Sequence, residues 1–106
     1  MNGTTITRKE DRAIVQPGGD VVAAHVPELR SALRQVIGQG VREMTLDFSQ
    51  VRMVDSTGLG LLISAHNSVH KAGGSLSVIH ASQDILDLFQ SMRIHQHFRI
   101  AGDDAQ

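Results

Sequence analysis

From Val26 onward the apolar period of this chain switches back and forth between that of a helix and that of a strand, and this alternation narrows the folds open to it. Leu29, Leu33, Val36 and Ile37 recur at helical spacing, with Pro27 suited to the first turn and Gly38 to the stop. Met44, Leu46 and Phe48 then alternate with Thr45 and Asp47, the period-two pattern of a half-buried strand. A second helical face follows in Leu59, Leu62, Ile63, His66 and Val69, and Gly73-Gly74 supplies the left-handed residue that closes it. Leu76, Val78 and Ile79 form another strand. Ser82 is the expected N-cap of a third helix carrying Ile85, Leu88, Phe89 and Met92 on one face, and Phe98 and Ile100 form a last short strand. Ahead of all this, residues 4–9 and 13–16 are β-branched stretches separated by Glu10, Asp11 and Arg12, which suits a hairpin, and Pro17-Gly18-Gly19 ends its second strand. The order is ββαβαβαβ. A helical crossover returns the chain to the same end of the sheet, so strands that alternate with helices pair in parallel, while the hairpin is antiparallel. The expectation is an α/β domain with a mixed sheet of four to five strands packed with amphipathic helices.

With 106 residues and 41% hydrophobic content, one core is affordable and two are not, so residues 1–106 are read as a single domain ordered over about 4–100, with 101–106 as a frayed tail. The absence of cysteine excludes disulfides and thiolate metal sites. The first 12 residues are polar, and the longest apolar run, around residues 59–65, is too short to span a bilayer. A cytoplasmic protein with no membrane partner is expected. A net charge of -1, with both signs scattered, gives no field to collect nucleic-acid phosphates, and three phenylalanines without tryptophan or tyrosine offer no stacking platform. The remaining class of partner is another protein.

The most informative segment is Val54-Asp55-Ser56-Thr57-Gly58-Leu59-Gly60, where a strand and short turn pass into the second helix. Asp55, Ser56 or Thr57 can each cap the helix by accepting from a free N–H of its first turn, but capping needs only one of them. Gly58 and Gly60 each cost about 0.8–1.0 kcal/mol relative to alanine in a helix, so their presence calls for another reason. Bare backbone that lets another molecule approach is the reason expected here.

Asp55-Ser56-Thr57-Gly58-Leu59-Gly60, preceded by Leu46-Asp47 on a strand and followed by Gly73-Gly74, resembles the signature of the STAS domain, specifically the free-standing anti-sigma factor antagonists. The likeness runs over roughly residues 4–100. It implies a partner-switching cycle. A serine kinase of the histidine-kinase-like ATPase fold, itself the sequestering anti-sigma-type factor, would phosphorylate Ser56, with Thr57 as the fallback acceptor. A metal-dependent serine phosphatase would remove the phosphate. The unphosphorylated form would bind the kinase and free its other partner, and the phosphorylated form would let go. Asp20, Asp55, Ser56, Thr57, Gly58, Leu59, Gly60 and Leu61 are the expected partner-binding residues. Asp20 stands where the family often has an acidic residue, although the segment around it, residues 18–26, is more apolar than the family pattern. No cofactor is implied, and family members of this size are usually monomers.

Competing readings attach to particular residues. Asp55 can orient the serine or simply cap, and Asp47, at a strand end before Ser49, reads as turn-forming. His66 and His70 at i,i+4 and His95 and His97 at i,i+2 invite a metal, yet no glutamate follows His66 and no third ligand has convincing spacing. Met44, Met53 and Met92 fall among apolar positions and read as core filling. Leu61 points away from the face of Leu59 and Leu62, which suits a contact residue or helix packing on both sides. An enzyme would need Ser56 as nucleophile, but its context is not G-x-S-x-G and the adjacent carboxylate would oppose an oxyanion. An anion- or nucleotide-sensing module rests on Gly58 and Gly60 without a lysine, and a scaffold STAS module without phosphoswitching is the other alternative.

Overall fold

The computed structural model describes residues 3–94 and 99–102. Its elements run β1 (Thr5–Lys9), β2 (Arg12–Gln16), α1 (Val26–Gly38), β3 (Glu43–Asp47), α2 (Ser56–Lys71), β4 (Ser75–Ala81), α3 (Gln83–Ser91) and β5 (Arg99–Gly102). The five strands form one mixed sheet in the order β1-β2-β3-β4-β5. β1 and β2 are the antiparallel hairpin, and every later pairing is parallel. The α/β class and mixed sheet are those the alternation predicts.

This strand order decides where the helices go. Each helical crossover steps to the next strand in the same direction, and right-handed crossovers that never reverse place all their helices over one face. Burial follows that rule. Ala13 and Val15, Met44 and Leu46, Leu76 and Val78 point under the helices and are buried, while their alternates Ile14, Thr45 and Ser77 lie in register on the other face, with Ile14 44% exposed. The sheet's inner face meets Leu33 and Val36 of α1, Leu62 and Val69 of α2, and Ile85 and Phe89 of α3 in one apolar cluster. No helix among the described residues is long and apolar enough to cross a membrane.

Several local expectations are met in detail. The side-chain oxygen of Ser82 accepts from Ile85 N–H at 3.3 Å and caps α3. Gly73 takes φ 86° just past α2. Asp47 Oδ1 accepts from Ser49 N–H at 2.9 Å, a turn-forming role, while Gln16 Nε2 donates to Ser49 Oγ at 2.9 Å.

Other expectations are corrected. Met44 is buried, but Met53 and Met92 are 58% and 57% exposed and fill no core. Met53 lies in the loop before α2 and Met92 just after the last residue of α3, where no packed face is available to either. Ala101 and Gly102, read as tail, belong to β5, because Gly102 pairs with Ala81 past a shift in register between Val78 and Ala81. Phe98, His95 and His97 lie outside the described residues, as do residues 103–106.

Candidate functional site

The start of α2 is built from two loops that hold each other. The segment before α1 runs beside the segment before α2 through a parallel bridge, Val21 to Val54. Val21 N–H donates to the Met53 carbonyl at 3.0 Å, and Asp55 N–H donates to the Val21 carbonyl at 3.3 Å. Asp20 extends the clamp. Its Oδ1 accepts from the N–H groups of Arg52 at 2.9 Å and Met53 at 3.2 Å, and its carbonyl accepts from His25 Nδ1–H at 2.8 Å. Backbone donors in a loop have no ladder partner, and a short carboxylate supplies one where no strand can.

Asp55 resolves which of the three capping candidates caps. Its backbone is extended (φ -94°, ψ -177°), and Oδ1 accepts from Gly58 N–H at 2.8 Å. Oδ2 accepts from Ala23 N–H at 2.9 Å, so a single carboxylate joins the helix to the opposite loop. These donors hold the Asp55 carboxyl below its usual range, the Gly58 N–H most and the Ala23 N–H next, with desolvation pulling weakly the other way.

With the cap thus supplied, Ser56 is the first residue of the helix, exposed, and its hydroxyl has no hydrogen bond to any other described residue. Thr57 is also exposed and lines a depression together with Pro27 and Arg30 of α1. The first turn of α2 contains no acidic side chain. The positive end of the helix dipole, capped by the Asp55 carboxylate, therefore lies beside a free hydroxyl.

The two glycines differ. A Cβ on Gly58 would overlap the Val21 carbonyl oxygen, so this glycine exists for contact within the chain, and the expectation that it opens the backbone to another molecule is corrected. A Cβ on Gly60 would meet nothing within 4 Å, and the residue is exposed, which leaves its backbone approachable. Leu59 and Leu61 are 7% and 4% exposed. Leu61 lies against the α1 side, among residues that include Leu33, so packing on both sides of α2 accounts for it. Of the eight residues named from the sequence, Ser56, Thr57 and Gly60 form surface, while Gly58, Leu59 and Leu61 are packed beneath it. Asp20 and Asp55 tie the loops.

Ala23 N–H and the Val21 carbonyl are parts of the site that sequence reasoning missed. They act through main-chain atoms, which every residue carries, so no residue type marks them. Exposed Met53, next to this surface, was missed because methionine is equally at home in cores.

Nothing around Ser56 completes a nucleophile: no base is hydrogen-bonded to it among the described residues. His66 and His70 stack with ring centroids 5.8 Å apart on the later turns of α2. No group of three or more His, Cys, Asp or Glu placed to hold a metal occurs among the described residues.

A family model described as Mlab, STAS domain, matches residues 4–101. The anti-sigma-B factor antagonist of Staphylococcus epidermidis is 30% identical over 89 residues, which cover 84% of this chain and 82% of that protein. The crystal structure of an anti-sigma factor antagonist from Mycobacterium paratuberculosis superposes with a TM-score of 0.82 at 18% identity, covering 92% of this chain and 83% of that one. The Bacillus cell fate determinant SpoIIAA in its phosphorylated form superposes with a TM-score of 0.73 at 16% identity, covering 96% of this chain and 94% of its own. SpoIIAA in its unphosphorylated form gives 0.74 at 17% identity, with 97% and 90% covered.

Proposed function

Because the chain belongs to the STAS domain family, we propose that it is a phosphorylation-controlled partner switch rather than an enzyme, with Ser56 as the phosphoacceptor. In this reading the unphosphorylated protein binds a serine kinase of the histidine-kinase-like ATPase fold that doubles as an anti-sigma-type factor. Binding frees the kinase's other partner. Phosphorylation at Ser56 ends the binding, and a metal-dependent serine phosphatase restores it. The single domain acts as a cytoplasmic monomer.

The observation that carries the reading is the division of labour at the start of α2. Asp55 does the capping, which leaves Ser56 exposed with no structural duty. A hydroxyl in that position can be modified without unmaking the fold. A phosphoserine adds roughly -1.5 to -2 charge, and the N–H groups and dipole of a helix start favour it by about 0.3–1 kcal/mol. The neighbouring Asp55 carboxylate opposes part of that gain, softened because both its oxygens already accept N–H bonds. A partner seated over Ser56 would bury the new charge unpaired, at a cost of about 2–5 kcal/mol, or some 30- to several-thousand-fold in affinity. The interface therefore loses far more than the domain. SpoIIAA bears on the domain's side of this balance, since its phosphorylated and its unphosphorylated form both share this fold.

Ser56, Thr57 and Gly60 present the contact surface, with Met53 beside them, and Asp20, Asp55, Gly58, Leu59 and Leu61 hold it in shape. A second reading, a STAS module that docks without phosphoswitching, is favoured by one finding, that the matching family model is described as Mlab and not as an antagonist. Incubation with the kinase and ATP, followed by mass-spectrometric mapping, separates them. The switch reading expects phosphate on Ser56 and none on the Ser56→Ala variant. Phosphate elsewhere, or none where the kinase modifies a control antagonist, favours the second reading.

A further inference from the structure

Two depressions lie between α1 and α2. One, of about 400 Å³, opens beside Thr57 over Val26 and Pro27. The other, of about 160 Å³, lies over Leu61 and Ala65. Arg30 and Arg34 line both, so the two adjoin along α1 as a groove divided by these side chains, and its larger part begins next to the switch serine. No acidic side chain lines either part. Arg8 is tied to Gln39 and Arg12 pairs with Glu43 at 2.8 Å, whereas neither Arg30 nor Arg34 has an ion-pair or hydrogen-bond partner among the described residues. The larger part thus combines an apolar floor with two uncompensated guanidinium groups on its rim, while the smaller part also carries the hydroxyls of Ser64 and Ser68.

We propose that this groove docks an acidic helix of the kinase, so that the contact surface extends from Ser56 along α1; the inference rests on the partner-switch reading above. Arg30 and Arg34 are four apart on α1, hence about 6 Å from each other, which matches two carboxylates one turn apart on a facing helix. Guanidinium binds carboxylate in a planar fork, and an apolar side chain between the two acids enters the depression over Val26 and Pro27. The regulation follows from continuity. Thr57 lines the mouth of the groove, so phosphate on its neighbour Ser56 sets a dianion where the partner's carboxylates arrive. Release then comes from like charge as well as from desolvation.

The test is the affinity of purified kinase for the wild type, for Arg30→Glu/Arg34→Glu, for the milder Arg30→Gln/Arg34→Gln, and for Arg99→Glu on the edge strand β5, with circular dichroism as a check on folding. The expected result is a loss of about 100-fold for the glutamate pair, a smaller loss for the glutamine pair, and no change for Arg99→Glu. Wild-type affinity falls with salt, and this dependence flattens in the glutamine pair. Reversing two acidic residues of the kinase one turn apart restores binding to the glutamate pair. Unchanged affinity of the folded glutamate and glutamine pairs overturns the groove, while release by Ser56 phosphorylation in the same assay leaves the switch standing. Failure of the wild type to bind the kinase overturns both.

Discussion

The two helices that start from short polar segments, α2 and α3, are capped by the same device to different ends. At α3, Ser82 caps at 3.3 Å, Asp84 supplies negative charge to the first turn, and Gln83 donates to Asp87 at 2.9 Å. Every feature there stabilises the helix in place. At α2 the cap is a carboxylate shared with Ala23, the first turn lacks any acid, and an exposed serine and threonine follow. That start is fastened to a second loop, with its acid engaged as the cap and free hydroxyls after it, which is the difference between a helix that only needs to begin and one whose beginning is a surface.

The comparison breaks most sharply at Gly58. Alanine there would drive a Cβ into the Val21 carbonyl, so Gly58→Ala is expected to lose about 2–3 kcal/mol in urea unfolding and to separate the two loops. α3 contains no glycine. Next comes the cap itself. Ser82→Ala is expected to cost about 1 kcal/mol, and Asp55→Ala more than that, because Asp55 also holds Ala23 N–H. Equal losses in thermal unfolding would mean that the link across the loops contributes nothing.

Gly60→Ala has the opposite sign. With open space around its Cβ, the alanine is expected to stabilise the domain by about 0.8 kcal/mol while weakening kinase binding. Stabilisation without loss of affinity would remove Gly60 from the contact surface.

The smallest effect is the pH dependence of Asp55. Its folded-state pKa is depressed below the ordinary 3.8, so its contribution is complete above that value and disappears as pH falls through the lower folded one. Asp55→Asn keeps a capping oxygen without the titration. The stability difference between wild type and this variant is expected to shrink below about pH 4, and a constant difference down to pH 2 would show that the N–H bonds do not favour the charged form.

The same contrast explains what the sequence made legible. The helices and inner strands follow from apolar period, since one buried face imposes it, and the Ser82 cap follows from a side chain with one obvious use. The cap of α3 could be read, though not the bond between Gln83 and Asp87. At α2 the residues could be located but not sorted, because three side chains were able to cap and only geometry shows that Asp55 does. Gly58 looked like an opening to other molecules. It is filled by the carbonyl of Val21, a residue 37 positions away with no side-chain signal for the contact. Strand order decided the single layer of helices, and period alone does not contain it. Met53 and Met92 misled because an unbranched thioether suits core and surface alike.

The central claim is that phosphate at Ser56 acts on the interface and spares the fold, and one paired measurement on stoichiometrically phosphorylated protein tests it: kinase affinity beside thermal unfolding. The account predicts a Kd raised at least 30-fold with a Tm within about 2 °C of the unmodified protein. An unchanged Kd, or a loss of affinity matched by a large fall in Tm, would contradict it.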